Sequence, residues 1–366
     1  MYCCPLADYA RRVPLYQLFS MLRATLLLFC ISVFVTGCFS ARSVQDSLED
    51  YSDRLSYVLD VPLPELETPP LSRLTDSSTL NYNIESLNIN LREFFALQDC
   101  EVGRVVAERN TSLGKSQLPS QRIVYESELL SALNNCETAI RSKNTALADN
   151  LNQWQERKRS DFAKHWANLI QTSQEMRLAL NTPERLLGID NNKDAFASVN
   201  SLFFLDSLKN RIFEDEIAPI DSAEIETQLQ IVRSARLPAS LWRTQQALSH
   251  NLNILTRALT PALETISCPN GRASDKAKIL RNVFYLFFIE EIQPVGSMIN
   301  QYHYKLLPLW QSWEEDDTLH PAFKHYIATQ GNNNFSAYEK AMQAHVVLWQ
   351  GFLKRCNLSP VAPASR

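Results

Sequence analysis

The stretch LADNLNQWQERKRSDFAKHWANLIQTSQEMRLAL, residues 147–180, decides the fold class. Leu147, Leu151, Trp154, Phe162, Trp166, Leu169, Met176 and Leu180 recur in it at intervals that place side chains on one face of a helix. A half-buried strand would alternate every second residue, and no such alternation runs through it. The spacing predicts one amphipathic helix of about 35 residues, with Glu156-Arg157-Lys158-Arg159 largely on its solvent side. Asn181-Thr182-Pro183 should end it, because proline breaks a helix interior yet suits a first turn, here that of a short helix from Pro183.

The same periodicity continues in both directions. Towards the N-terminus, Leu48, Tyr51, Leu55 and Val58 predict a helix over 43–59, and prolines at 62, 64, 69 and 70 turn the next residues into an extended, semi-rigid strap. Ile84, Leu87, Leu91, Phe94, Phe95 and Leu97 predict a helix ending near Cys100, and Tyr125, Leu129, Leu130 and Leu133 another over 120–140. Towards the C-terminus, helices are expected from Val199 to Leu208, over 221–236 and over 239–266. Ser274 should cap the next, whose Phe284 to Ile289 run is apolar enough for burial on most faces. Pro294 and Pro308 should kink or interrupt the chain beyond Glu291, and a last helix should run from about Ser336 through Trp349 to Phe352. Eight glycines in 366 residues leave little material for hairpin turns. The expected fold is all-α: an elongated multi-helix bundle of two packed lobes, about 76–190 and 191–357, with a disordered tail at 358–366.

Ahead of the body, Arg23 and the apolar run Ala24 to Val35 lead into Val35-Thr36-Gly37-Cys38. These features resemble a bacterial lipoprotein signal, cleaved between Gly37 and Cys38 after the Cys38 thiol is acylated. The run is shorter than the ~18 apolar residues a spanning helix needs. Residues 1–37 are therefore expected to form a leader, with Met21 a plausible true start, and residues 38–75 to hold the anchor, first helix and strap. Several acyl chains on Cys38 would fix the chain to a lipid bilayer, since two lipid signals already anchor stably. Phe39 stands where an inner-membrane retention signal would place Asp, which favours the periplasmic face of the outer membrane.

Eight cysteines less three in the leader and Cys38 leave Cys100, Cys136, Cys268 and Cys356. An even number in an exported chain reads as two disulfides, and the pairs 100–136 and 268–356 each stay within one lobe. No pair has the close spacing of a zinc site, so no metal or cofactor is expected. The leader holds three arginines against one aspartate, so its removal shifts the net charge from −4 to −6. That balance argues against a nucleic-acid partner, which is held mainly by Lys and Arg on phosphates.

The least generic stretch of the body runs from Ala107 to Gln121. Glu108, Arg109, Asn110 and Ser112 form a candidate polar site, although Arg109 could equally satisfy carbonyls at a helix end while Gly114 supplies a turn. Around Cys100, Glu108-Arg109-Asn110, Ser112-Leu113-Gly114 and Pro119-Ser120-Gln121 the chain resembles a lipoprotein family of gammaproteobacterial type defined only as a domain of unknown function. The resemblance implies no activity. Trp154 and Trp166 mark a candidate apolar groove, with core packing as the competing reading.

Motifs for chemistry are missing: there is no His-Glu-x-x-His, nucleophile elbow or phosphate loop. Asp190-Asn191-Asn192-Lys193-Asp194 departs from a calcium loop at Ala195 and Ser201, where glycine and glutamate are required. His303, near Glu290 and Glu291 in sequence, is the histidine to inspect. The leading expectation is a non-enzymatic, lipid-anchored envelope protein with a structural or interaction role and an envelope protein as its partner. The alternative is a helical binding module for a lipid or small apolar ligand, with a cavity between Trp154, Trp166 and the Phe284–Phe288 helix. An envelope enzyme using Glu108, Arg109 or His303 ranks third. Intact-mass measurement of the purified chain should give a polypeptide beginning at Cys38 and carrying acyl chains; an uncut, unacylated chain would refute the anchor.

Overall fold

Ser43 opens the first helix by a reciprocal cap. Its hydroxyl accepts from the Asp46 amide at 3.3 Å, and the Asp46 carboxylate accepts from the Ser43 amide at 2.8 Å. In this computed structural model the described residues are 43–362 apart from 88, 99, 111–116, 184, 189–193 and 214–217. Gly37, Cys38, Ser112 and the core of the calcium-like loop thus lie outside them. Helix α1 (Val44–Leu59) buries Leu48, Tyr51 and Leu55, the stripe its sequence predicts. The proline-rich strap after it is extended and docked: Leu74 is fully buried, the Glu67 amide donates to Asn251, and Asn181 donates to the Ser72 carbonyl.

Every regular element among the described residues is helical. After the strap come α2 (Leu91–Ala96), α3 (Glu101–Arg109), α4 (Pro119–Ile140), α5 (Thr145–Thr172) and α6 (Gln174–Asn181). The second half holds α7 (Ala195–Ser207), α8 (Ser222–Ala235), α9 (Leu237–Glu264) and α10 (Asp275–Val283). A π-helical segment, Phe284–Ile292, leads into α11 (Gln293–Glu315), then α12 (Pro321–Ala328), a second π segment and α13 (Asn334–Arg355). The connection from α4 to α5 is too short for anything but an antiparallel hairpin, and these two helices pack along their length, as do α9 and α13. No helix among the described residues is long and apolar enough to cross a membrane.

The structure departs from the periodicity in several places. Only Leu91–Ala96 of the helix expected across Ile84 to Leu97 is helical. Just ahead of the expected helix, Asn168 holds both backbone groups of Tyr82, accepting from its amide at 2.8 Å and donating to its carbonyl at 3.0 Å. The 147–180 helix breaks at Ser173, whose extended backbone separates α5 from α6. No helix starts at Pro183 among the described residues. Pro294 falls where the π-helical segment Phe284–Ile292 passes into α11, a local interruption of the α-helical pattern, and α11 continues past Pro308 to Glu315. The apolar run before it buries Phe284, Phe288 and Ile292 but leaves Leu286 exposed, so it is buried along one stripe.

Both expected disulfides are present. Cys100–Cys136 joins the start of α3 to α4, and Cys268–Cys356 joins the chain after α9 to the end of α13, with Cα–Cα distances of 5.6 and 5.2 Å. By loop-closure entropy they contribute about 4 and about 4.5 kcal/mol.

A buried histidine knots three helices of the larger core. His345 on α13 accepts from the Trp349 indole at 3.1 Å through Nε2, while Thr256 of α9 lies 2.9 Å from Nδ1 and the Tyr51 hydroxyl of α1 lies 3.0 Å from Nε2. An Nε2 that accepts carries no proton, so Nδ1 holds it and donates to Thr256. Burial pushes the imidazole from its ordinary 6.5 down to about 3. The unfolded chain therefore takes up this proton first. Stability from the site is complete above pH ~6.5 and is lost as pH falls towards ~3, roughly 2–3 kcal/mol of it by pH 4.5. Urea unfolding at pH 7 and 4.5 should show this loss, with a shallower pH slope in His345→Gln; an unchanged slope would refute the assignment.

Candidate functional site

The hairpin of α4 and α5, together with α3, lines a partly open cavity of about 300 Å³. Its floor is apolar: Val102 and Val106 from α3, Leu129 and Leu133 from α4, and Trp154 from α5. These residues belong to a small core of their own, which also buries Leu97, Cys136, Leu147 and Leu151. Leu87 and Ile89 close one edge, and Arg109, Asn110, Arg122, Tyr125 and Lys158 supply the polar wall. Two local features bring α3 this close. The disulfide fixes its first turn to α4, and Gly103 lets the chain at Leu97 approach, since a Cβ there would lie 2.8 Å from the Leu97 carbonyl oxygen.

At the polar wall one carboxylate serves two cations. Glu126 is fully buried; Arg122 pairs with it at 2.6 Å and Lys158, 6% exposed, at 3.0 Å. His165 lies 3.5 Å from the same carboxylate. Burial pushes His165 down to about 4, more than the neighbouring Glu126 can offset, so the ring is neutral and brings no third positive charge. The Arg122 Nε is buried with no hydrogen-bond partner. Arg109 and Arg122 place their guanidinium groups over the Tyr125 ring, 5.2 and 5.3 Å from its centroid. Burial pushes the Tyr125 phenol up to about 12, and burial followed by repulsion from Arg122 lowers Arg109. The cavity thus joins an apolar bed to a wall where positive charge exceeds negative.

The residues singled out by sequence divide around this cavity. Arg109, Asn110 and Trp154 line it. Glu108 faces away, pairing with Arg104 at 2.7 Å on an exposed surface. Ser112 lies outside the described residues. Trp166 is fully buried elsewhere: its indole donates to the Leu205 carbonyl at 3.0 Å, and Lys209 sits over the ring. Phe284 and Phe288 line a separate cavity of about 540 Å³ against α13, so the three parts of the expected groove are not brought together. His303 stacks face to face on Phe335, with burial pushing it down to about 4. No group of three metal-ligating side chains comes together among the described residues.

The sequence reading does not single out Lys158, Arg122, Glu126 or His165, and it places Lys158 on the solvent side, where the structure buries it. A signal exists: Lys158 lies four residues after Trp154, Glu126 precedes Leu130 and Leu133 by four and seven, and each therefore falls on an apolar stripe. A family described as "Protein of unknown function (DUF3080)" matches residues 48–360. The chain belongs to that family. No curated protein matches it, and neither does any solved structure. Within the DUF3080 match, both disulfides and every described residue of the cavity are included.

Removing the shared carboxylate should strand two buried cations. Glu126→Gln is expected to destabilise the fold by about 3–5 kcal/mol, whereas Glu108→Gln, which breaks an exposed pair, should cost under ~1 kcal/mol. Chemical denaturation of the two variants checks this, and equal effects would contradict the buried cluster.

Proposed function

We propose that this chain is a lipid-anchored binding module of the bacterial envelope, taking an anionic amphiphile, an acyl chain with a carboxylate or phosphate head, into the cavity between α3, α4 and α5. The supporting observation is Arg122 and Lys158 sharing the single carboxylate of Glu126 at the polar wall of a pocket whose other side is apolar. An anion at this wall would complete the pairing of the clustered charge. The floor of Val102, Val106, Leu129, Leu133 and Trp154 would take the chain, and a volume of about 300 Å³ is at the lower end of ligand pockets.

The titration behaviour of the wall favours binding over catalysis. A general acid or base works best with a pKa near the operating pH, and burial drives His165 down to about 4 and Tyr125 up to about 12. The lipoprotein-like signal at Gly37 and Cys38 is the support for the anchor and for the periplasmic face of the outer membrane as its site. Acylation of Cys38 would keep the pocket beside a supply of amphiphiles. The purely structural reading, with an envelope protein partner, rests on no surface as well formed as this cavity.

Calorimetric titration of the full chain with dodecanoate and with dodecanol tests the reading. Dodecanoate should bind more tightly, and Arg122→Gln should weaken it by about ten- to a hundredfold, the range for a hydrogen bond to a charged group, while leaving dodecanol unchanged. Equal binding of acid and alcohol, or binding of neither, would overturn it.

A further inference from the structure

A short helix that buries none of its residues stands beside the cavity. Leu91 and Phe95, four apart on α2, are 70% and 58% exposed, and Phe94 packs edge-on against Phe95 rather than into the body. Leu118, the residue capping α4, is 61% exposed and lies one helical turn before Arg122. Leu87 is exposed and also lines the cavity, so the apolar surface continues from the outer face to the inside.

This arrangement is held in place. Asn90 and Glu93 cap the start of α2 reciprocally at 2.9 Å, and Leu97 at its end is fully buried in the core that floors the cavity. The helix is therefore preformed, with its apolar face turned outward against the hydrophobic effect. Beside that face stand an exposed arginine, Arg92, and the cations of the cavity wall. Apolar side chains with cations set behind them match the order of acyl region and anionic headgroup at a bilayer surface. A protein partner would more often meet such side chains in a groove or on a broad flat patch.

We infer that α2 and the start of α4 form a lip that docks on an anionic phospholipid bilayer, with Leu91, Phe95 and Leu118 entering the acyl boundary and Leu87 leading a chain to the cavity. The loading step rests on the cavity reading above; the docking does not. An inserted lip places the polar wall of Arg109, Arg122 and Lys158 at the depth where headgroups lie, so a lipid need not cross water to reach them.

Two measurements on the full chain, as cells produce it, separate the parts. Five of the six native tryptophans are fully buried, so an added exposed indole can be read against a quiet background. With vesicles of brominated phosphatidylglycerol, the added emission of Phe95→Trp should be quenched severalfold more than that of Tyr304→Trp, an exposed control on α11. Equal quenching would overturn the lip. Leu91→Asp/Phe95→Asp should slow uptake of pyrene-labelled phosphatidylglycerol from vesicles by about tenfold or more while leaving soluble dodecanoate affinity within about twofold. Uptake at the parental rate would overturn the loading role. Failure of the parent to bind dodecanoate would strike the cavity reading instead, and quenching at residue 95 would still report the lip.

Discussion

Burying the Glu126 carboxylate fixes the hairpin that everything around the cavity is built on. In an apolar interior that group is tolerated only with positive partners, and α5 can provide one from a single register, the one that brings Lys158 opposite Glu126 at 3.0 Å. Sliding α5 by one turn would take Lys158 away from Glu126 and strand its ammonium, leaving the carboxylate with Arg122 alone. The ion pair adds little net stability over a well-packed apolar pair, but it penalises every other register heavily. Cys136, on the same helix, then holds α3 against the hairpin through Cys100. Register, disulfide and the close approach at Gly103 together leave the pocket open beside the charge cluster.

The larger core is organised differently. Its inward surfaces on α9, α11 and α13 are mostly apolar, and five tryptophans, Trp166, Trp242, Trp310, Trp313 and Trp349, are fully buried in it. Packing of this kind tolerates small shifts, so registry there depends on the few directional contacts it contains. His345 joins α1, α9 and α13 through hydrogen bonds at both ring nitrogens, and the Cys268–Cys356 bridge pins the far ends of the same two long helices. The strap from 61 to 76 closes over this core by lending its backbone groups to Asn251, Arg177 and Asn181. The first helix, nearest the proposed anchor, is thus fastened to the body by side chains more than two hundred residues away.

Much of the architecture can be read from spacing because helix-forming apolar stripes are local. Leu48, Tyr51 and Leu55, the Ser274 cap and the long faces of α4, α5 and α9 lie where their periodicity places them. Both cysteine pairings come from each bridge staying within one half of the chain. The features that escape such a reading are set by distant partners. Ile84 and Leu87 continue a helical pattern, yet α2 begins only at Leu91, and ahead of them both backbone groups of Tyr82 are taken by Asn168 on α5. Lys158 sits in a run of charges that looks like a solvated face, and only the partner on α4 makes it a buried residue. Trp154 and Trp166 share a stripe, yet α3 leaves room above one while the chain at Leu205 closes over the other. Half of each expected site therefore meets in one cavity that neither stripe predicts alone.

The charge cluster also limits what the cavity can do. A site tuned for turnover keeps a group able to gain and lose a proton near neutral pH, whereas here desolvation holds His165 deprotonated and Tyr125 protonated. The charges are fixed, and so are the groups that carry them: Arg122 and Arg109 rest on the Tyr125 ring and Lys158 is held by Glu126. Such a wall needs little reordering when an anion arrives, which reduces the entropic cost of binding. Glu126 also competes for the same cations, so it tempers the affinity that the two positive charges would otherwise give. A wall so preorganised yet internally opposed would suit reversible holding of the proposed anionic ligand, whose release would require no chemical step.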